Sequence, residues 1–141
     1  MTATETALFT VRRAETALNP SLPPFGQFIG GAFVPSTSTS TVDVVNPATE
    51  EVLTQVPAGS AEDVDAAVAA AVAAKEGWAA KTPKDRSAVL LRIADIIETN
   101  RDLLETLESA NTGKPAAVAE DDISSAIDTF RFSAGAIRAA D

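Results

Sequence analysis

The residues closest to a chemical motif are Thr112-Gly113-Lys114, where a glycine beside a lysine could cradle a phosphate. A phosphate loop needs a second glycine five residues earlier and a Ser or Thr after the lysine. Those places hold Glu108 and Pro115, so the phosphate-loop reading fails. No G-x-G-x-x-G occurs either, and Gly30-Gly31 lies between Phe28-Ile29 and Phe33-Val34, the pattern of a hairpin and not of a dinucleotide site. Clustered carboxylates are the other candidates for acid–base work. Glu120, Asp121 and Asp122 fall where the spacing predicts the start of a fourth helix, and Glu62, Asp63 and Asp65 at the start of the first. In both places they complement the positive end of the helix dipole. The chain has 0 Cys and 0 His, which removes thiolate metal sites, disulfides, a cysteine nucleophile and the commonest general base. No catalytic and no cofactor-binding residue is therefore assigned within it.

Eleven Lys and Arg against 20 Asp and Glu give a net charge of -9, which repels a phosphate backbone and excludes nucleic acid as the main partner. Nothing approaches the roughly 18 consecutive apolar residues of a membrane span. The first residues carry Arg12 and Arg13 but also Glu5 and Glu15, with no apolar signal core, so a cytoplasmic protein is expected. Hydrophobic residues make up 45% of the chain but aromatics only 5%. Helices rich in alanine should then pack closely through small side chains, each burying little area. The scattered Lys and Arg are expected to form a solvated surface.

The elements that would position any site follow from punctuation and period. Residues 1–26, with Pro20, Pro23 and Pro24, read as a poorly ordered leader, and a domain spans 27–141, with β-hairpins over 27–57 and helices over 60–141. Gly30-Gly31 turns the first hairpin, and Asn46-Pro47 turns a second between Val42–Val45 and Val52–Val56. Ser36 to Thr41 is the loop between them. Ser60 and Asp63 stand at capping-box spacing before Val64, Val68 and Val72, which recur every fourth residue and predict a helix over about 61–76 ended by Gly77. Trp78 then opens a linking turn as a packing anchor. Thr82-Pro83-Lys84-Asp85 starts a second helix with Val89, Leu90, Ile93, Ile96 and Ile97 on one stripe. Asn100 breaks it, Leu103, Leu104 and Leu107 continue a third that stops at Gly113, and Ile123, Ile127, Phe130, Ala134 and Ile137 define the fourth. The expected class is α+β, β-hairpins followed by four α-helices, without βαβ alternation.

Read together, these pieces resemble the N-terminal region of the NAD(P)-dependent aldehyde dehydrogenase superfamily. The resemblance is carried in order by Phe28-Ile29-Gly30-Gly31, Val44-Val45-Asn46-Pro47-Ala48-Thr49, Val56-Pro57-Ala58 and Ala61 to Val68. It continues through Trp78, Arg86, Leu90 to Glu98, Thr112-Gly113-Lys114-Pro115 and Phe130-Arg131-Phe132-Ser133-Ala134-Gly135, covering about residues 27–138. Glu108 to Pro115 with Phe130 to Gly135 looks most like the aminobutyraldehyde and betaine aldehyde dehydrogenase branch.

The resemblance implies a longer protein with a Rossmann-like coenzyme core, a catalytic domain and homo-oligomeric assembly. In such enzymes a cysteine attacks the aldehyde, hydride passes to NAD(P) and a glutamate activates the deacylating water. These roles would fall beyond Asp141, so the chain is expected to be a truncated or split fragment, inactive alone, that binds no NAD(P). It also implies a K+ or Na+ site formed at Val44, Val45 and Asn111. The family usually has Asp where Asn111 stands, so the site should be weaker; the alternative is that Asn111 only helps end the third helix. Asp122 falls near a substrate-entrance position in aminoaldehyde enzymes, with helix-start capping as its alternative. Expected partners are the missing coenzyme and catalytic domains or a full-length homologue. The alternative to an enzyme fragment is a non-catalytic module docking through exposed helix faces, and a remnant without function is a third reading.

Overall fold

The computed structural model describes residues 26–139, so the expected leader, apart from Gly26, and the last two residues lie outside the described part. Four short strands precede four helices. Strands β1 (Gln27–Ile29) and β2 (Ala32–Val34) pair antiparallel, as do β3 (Thr41–Val45) and β4 (Val52–Pro57), in two separate two-stranded sheets. Helices α1 (Ala61–Ala79), α2 (Pro83–Thr99), α3 (Arg101–Thr112) and α4 (Ala116–Ala139) follow, and no βαβ unit occurs among the described residues.

The first hairpin turns on Gly30 and Gly31, whose φ values of 63° and 88° suit a tight turn of the primed kind. Phe28 and Phe33 then meet edge to face at 5.1 Å. In the second hairpin, Asn46 is buried and its Oδ1 accepts from the Ala48 amide at 2.9 Å, a local bond that pre-forms the turn. The Asn46 carbonyl also accepts from Glu50 at 2.8 Å, and Glu50 takes a left-handed φ of 61° that a non-glycine residue adopts at some cost.

Helix starts follow the sequence closely. The Ser60 Oγ accepts from the Asp63 amide at 3.1 Å while Asp63 Oδ2 accepts from the Ser60 amide at 3.0 Å, a reciprocal capping box. Thr82 caps α2 ahead of Pro83, its Oγ1 accepting from the Asp85 amide at 3.2 Å. The end of α1 is a correction: it does not stop at Gly77 but runs to Ala79, with Trp78 inside it. An interior glycine costs only about 1 kcal/mol relative to alanine, too little to stop an alanine-rich helix. What stops it is the approach to Pro83, before which Thr82 is held extended at ψ 156°.

The core lies where α2 and α3 meet α4 and is built mainly from small groups: Ser87 and Ala94 on α2, Ala110 on α3, and Ala119 and Ala134 with the larger Ile127 on α4. Close packing through small side chains is thus what the composition predicted. The valine stripe of α1 did not become core, however. Val64, Val68 and Val72 are 59%, 56% and 64% exposed, and the half-exposed Trp78 anchors no described core. Val89 and Ile96 likewise leave the expected α2 stripe for the surface, because Ser87 and Ala94 turn the buried face toward α4. No helix among the described residues is long and apolar enough to cross a membrane.

Candidate functional site

The chain's characteristic motif forms the corner between α3 and α4. Gly113, at φ 73°, ends α3 in the left-handed conformation, and its amide donates to the Ser109 carbonyl at 2.9 Å. The Ser109 Oγ donates to the Lys114 carbonyl at 2.8 Å, tying the exit strand back onto the helix. Pro115, which has no amide proton, supplies the carbonyl that accepts from Val118 and Ala119 at 2.9 and 3.1 Å and so starts α4. A β-carbon built on Gly113 would lie 2.8 Å from Pro47 Cγ. The corner therefore packs against the Asn46–Ala48 turn, which joins the second hairpin to the helices.

Lys114 is pinned inside this corner. Its Nζ donates to Asp122 Oδ2 at 2.5 Å and to Glu108 Oε1 at 2.6 Å, and the Asp122 and then the Glu108 carboxylate hold its ammonium above the ordinary value of 10.5. Arg131 of α4 similarly binds Glu98 Oε2 of α2 at 2.5 Å, and Arg101 of α3 donates to Ser124 Oγ of α4 at 2.8 Å. The described basic residues are thus exposed or half-exposed, as a solvated surface requires, and three of them, Arg101, Lys114 and Arg131, also bridge one helix to another. Sequence spacing alone hides this, because the partners meet only once the corner has turned. The carboxylates Glu120, Asp121 and Asp122 are also relocated: α4 begins at Ala116, so they occupy its second turn and none caps its start.

The sequence-predicted site residues are placed as follows. Val44 is half-buried and Val45 exposed at the end of β3, just before the turn that meets the corner. Asn111 is exposed in the last turn of α3, two residues before Gly113. The fold thus brings together the two segments that carry them. No group of three or more His, Cys, Asp or Glu side chains is placed to hold a metal ion among the described residues, so a cation here would rely on carbonyl and amide oxygens. Asp122, half-exposed, carries the Lys114 ion pair.

A second polar centre was not assigned a role from sequence beyond capping. Asp63 is only 6% exposed and ties the Ser/Thr loop to α1. Its Oδ2 accepts from Ser36 Oγ at 2.5 Å and its Oδ1 from the Thr37 amide at 3.0 Å, besides the capping bond. The Ser36 hydroxyl and the Ser60 and Thr37 amides hold this carboxyl far below its ordinary 3.8. The run Ser36–Thr41 supplied the signal: hydroxyls placed before a capping-box acid can bind that acid as well as the backbone.

The fold of strand pairs followed by four helices is shared with solved members of a known enzyme family. A profile described as "Aldehyde dehydrogenase family" matches residues 33–141, and the chain belongs to that family. Acetaldehyde dehydrogenase 2 of Cupriavidus necator is 42% identical over 122 residues, 86% of this chain and 24% of that protein. A variant betaine aldehyde dehydrogenase of Staphylococcus aureus, solved with NAD+, has a TM-score of 0.75 at 34% identity, covering 78% of this chain and 22% of that one. HpcC of Thermus thermophilus has a TM-score of 0.77 at 36% identity, covering 80% and 22%. The chain spans about a quarter of the length of the curated relatives it matches.

Proposed function

We propose that these residues are the N-terminal structural segment of an enzyme that oxidises an aldehyde to its carboxylate with NAD(P), and that by themselves they do not catalyse it. The observation that carries this reading is the family match across residues 33–141 in a chain with 0 cysteines and 0 histidines. Thiolate attack, the deacylating base and the coenzyme pocket then belong to parts of the family fold other than this one. The segment's own contribution is positional: the Gly113 corner and the Asp63 latch hold hairpins and helices as one unit. Its partners on this reading are the coenzyme and catalytic portions, within homo-oligomers. The 141 residues, purified free of host dehydrogenase, should give no NADH above buffer with NAD+ and acetaldehyde, betaine aldehyde or 4-aminobutyraldehyde. Measurable turnover would overturn the proposal.

For the substrate we propose an aminoaldehyde, on the likeness of Glu108–Pro115 and Phe130–Gly135 to that branch, with Asp122 attracting a cationic aldehyde. In a chain of full family length, Asp122→Asn should then raise KM for aminoaldehydes at least about threefold more than for neutral ones. Equal effects would sink the assignment. We propose as well a weak K+ or Na+ site at Val44, Val45 and Asn111, supported by the packing of Gly113 on Pro47, which brings their two segments together. Restoring a charge with Asn111→Asp should increase the stabilisation that added K+ or Na+ gives over choline at equal ionic strength, read from the unfolding midpoint. No ion-specific gain would count against the site.

A further inference from the structure

We infer that the corner between α3 and α4 withholds its lysine from aldehydes, while the lysines around the α1–α2 turn, Lys75, Lys81 and Lys84, combine with them as imines. The inference rests on the reading that this segment belongs to an aldehyde-oxidising enzyme, whose surface then meets a reactive carbonyl whenever substrate is present. A lysine attacks such a carbonyl only as the neutral amine. The nitrogen lone pair forms the C–N bond, the two amine protons leave with the carbonyl oxygen as water, and a C=N bond remains. The step needs no oxidant or reductant.

The chain's lysines are Lys75, Lys81, Lys84 and Lys114, and their surroundings differ. Lys75 near the end of α1, Lys81 in the turn and Lys84 at the start of α2 are exposed, and none has a side-chain hydrogen bond or ion pair among the described residues. The Lys114 side chain is 26% exposed, and its Nζ donates to Glu108 Oε1 and to Asp122 Oδ2 at once. Both carboxylates favour the ammonium, which carries no lone pair, over the reactive amine. Attack would also pull Nζ off both acceptors and leave Glu108 of α3 and Asp122 of α4 facing each other without a cation. The shielded lysine is thus the one whose modification would open a contact between helices. Adducts at Lys75, Lys81 and Lys84 break no such contact.

The test treats the 141-residue chain at neutral pH with acetaldehyde and cyanoborohydride, which reduces each imine to a stable ethylamine, and follows the initial labelling rate of every lysine by peptide mass spectrometry. Because two charge-assisted hydrogen bonds must be given up, Lys114 should label at least about tenfold more slowly than Lys75, Lys81 and Lys84. In urea sufficient to unfold the chain, all the rates should converge. Glu108→Gln combined with Asp122→Asn should bring Lys114 up to the rates of the others with the helical circular dichroism kept. If that pair of changes unfolds the corner, the wild-type comparison of native with urea-treated chain still decides. Lys114 labelling as fast as Lys81 in the native chain overturns the inference. So does a Lys114 that stays slow in urea or in the folded neutral variant, or a Lys75, Lys81 and Lys84 that resist labelling. Slow labelling of Lys114 in a chain whose full-length form oxidises no aldehyde upholds the shielding and counts against the functional reading. Fast labelling where the full-length form does oxidise aldehydes does the reverse.

Discussion

Gly113→Ala is expected to destabilise the chain by about 2–5 kcal/mol, the largest effect of any conservative substitution at the corner. Two costs combine. A residue with a β-carbon held at φ 73° loses about 1–2 kcal/mol, and the new carbon would stand 2.8 Å from Pro47 Cγ, an overpacking worth about 1–3 kcal/mol. Gly135 makes the contrast, since a β-carbon there meets nothing within 4 Å inside α4. Gly135→Ala should therefore stabilise by roughly 0.5–1 kcal/mol. Urea titrations followed by helical circular dichroism measure both. Adding Pro47→Ala to Gly113→Ala should recover the steric part and leave the backbone part, so the two changes should be non-additive. Additive effects, or equal behaviour of the two glycines, would show that the corner does not rest on the Asn46–Ala48 turn.

Asp63→Ala is expected to lower the unfolding midpoint by on the order of 5–10 °C, because it strips the acceptor from the Ser36 hydroxyl and from the Thr37 and Ser60 amides at once. The same residue makes the chain sensitive to acid. Its carboxyl is held below its ordinary 3.8, so the folded state binds the proton more weakly than the unfolded chain. The stability it contributes is thus fully present above that ordinary value and is lost progressively as the pH falls below it. Asp63→Asn should flatten this part of the pH profile, and an unchanged acid limb would argue that the carboxylate does not hold the loop.

These two residues also show what could be read in advance. Gly113 as a helix end, and Ser60 and Thr82 as helix starts, were legible because a cap is a contact within a few residues. Gly77 was misread by the same local logic, since the end of α1 is set by the chain's approach to Pro83. The period of Val64, Val68 and Val72 correctly announced a helix but not that these valines stay exposed, because periodicity marks a face and only tertiary packing decides whether it is covered. Lys114 was the least legible, because its bonds to Glu108 and Asp122 exist only after Gly113 reverses the chain. The Asn46–Ala48 turn was readable as a turn, but its role as the seat for Gly113 joins residues far apart in sequence. The cation residues and Asp122 were named through family likeness, and the polar chemistry of Asp63 beyond capping was not named at all.

Asn100 is at once the last cap of α2 and the first of α3. Its amide and side-chain Nδ2 donate to the Ile96 carbonyl, at 3.2 and 2.8 Å, while its own carbonyl accepts from Leu104 at 3.0 Å. With a single residue between them the two helices share one phase. Inserting or deleting one residue there would turn all of α3 by about 100°. Arg101 would swing away from Ser124, and the Gly113 corner from Pro47. Length variation among descendants of this sequence should consequently be purged at Asn100 and collect at the open Gly30-Gly31 turn, where a β-carbon would meet nothing within 4 Å. The joint acts as a reading-frame marker for the architecture, recording in chain length what the capping bonds record in geometry.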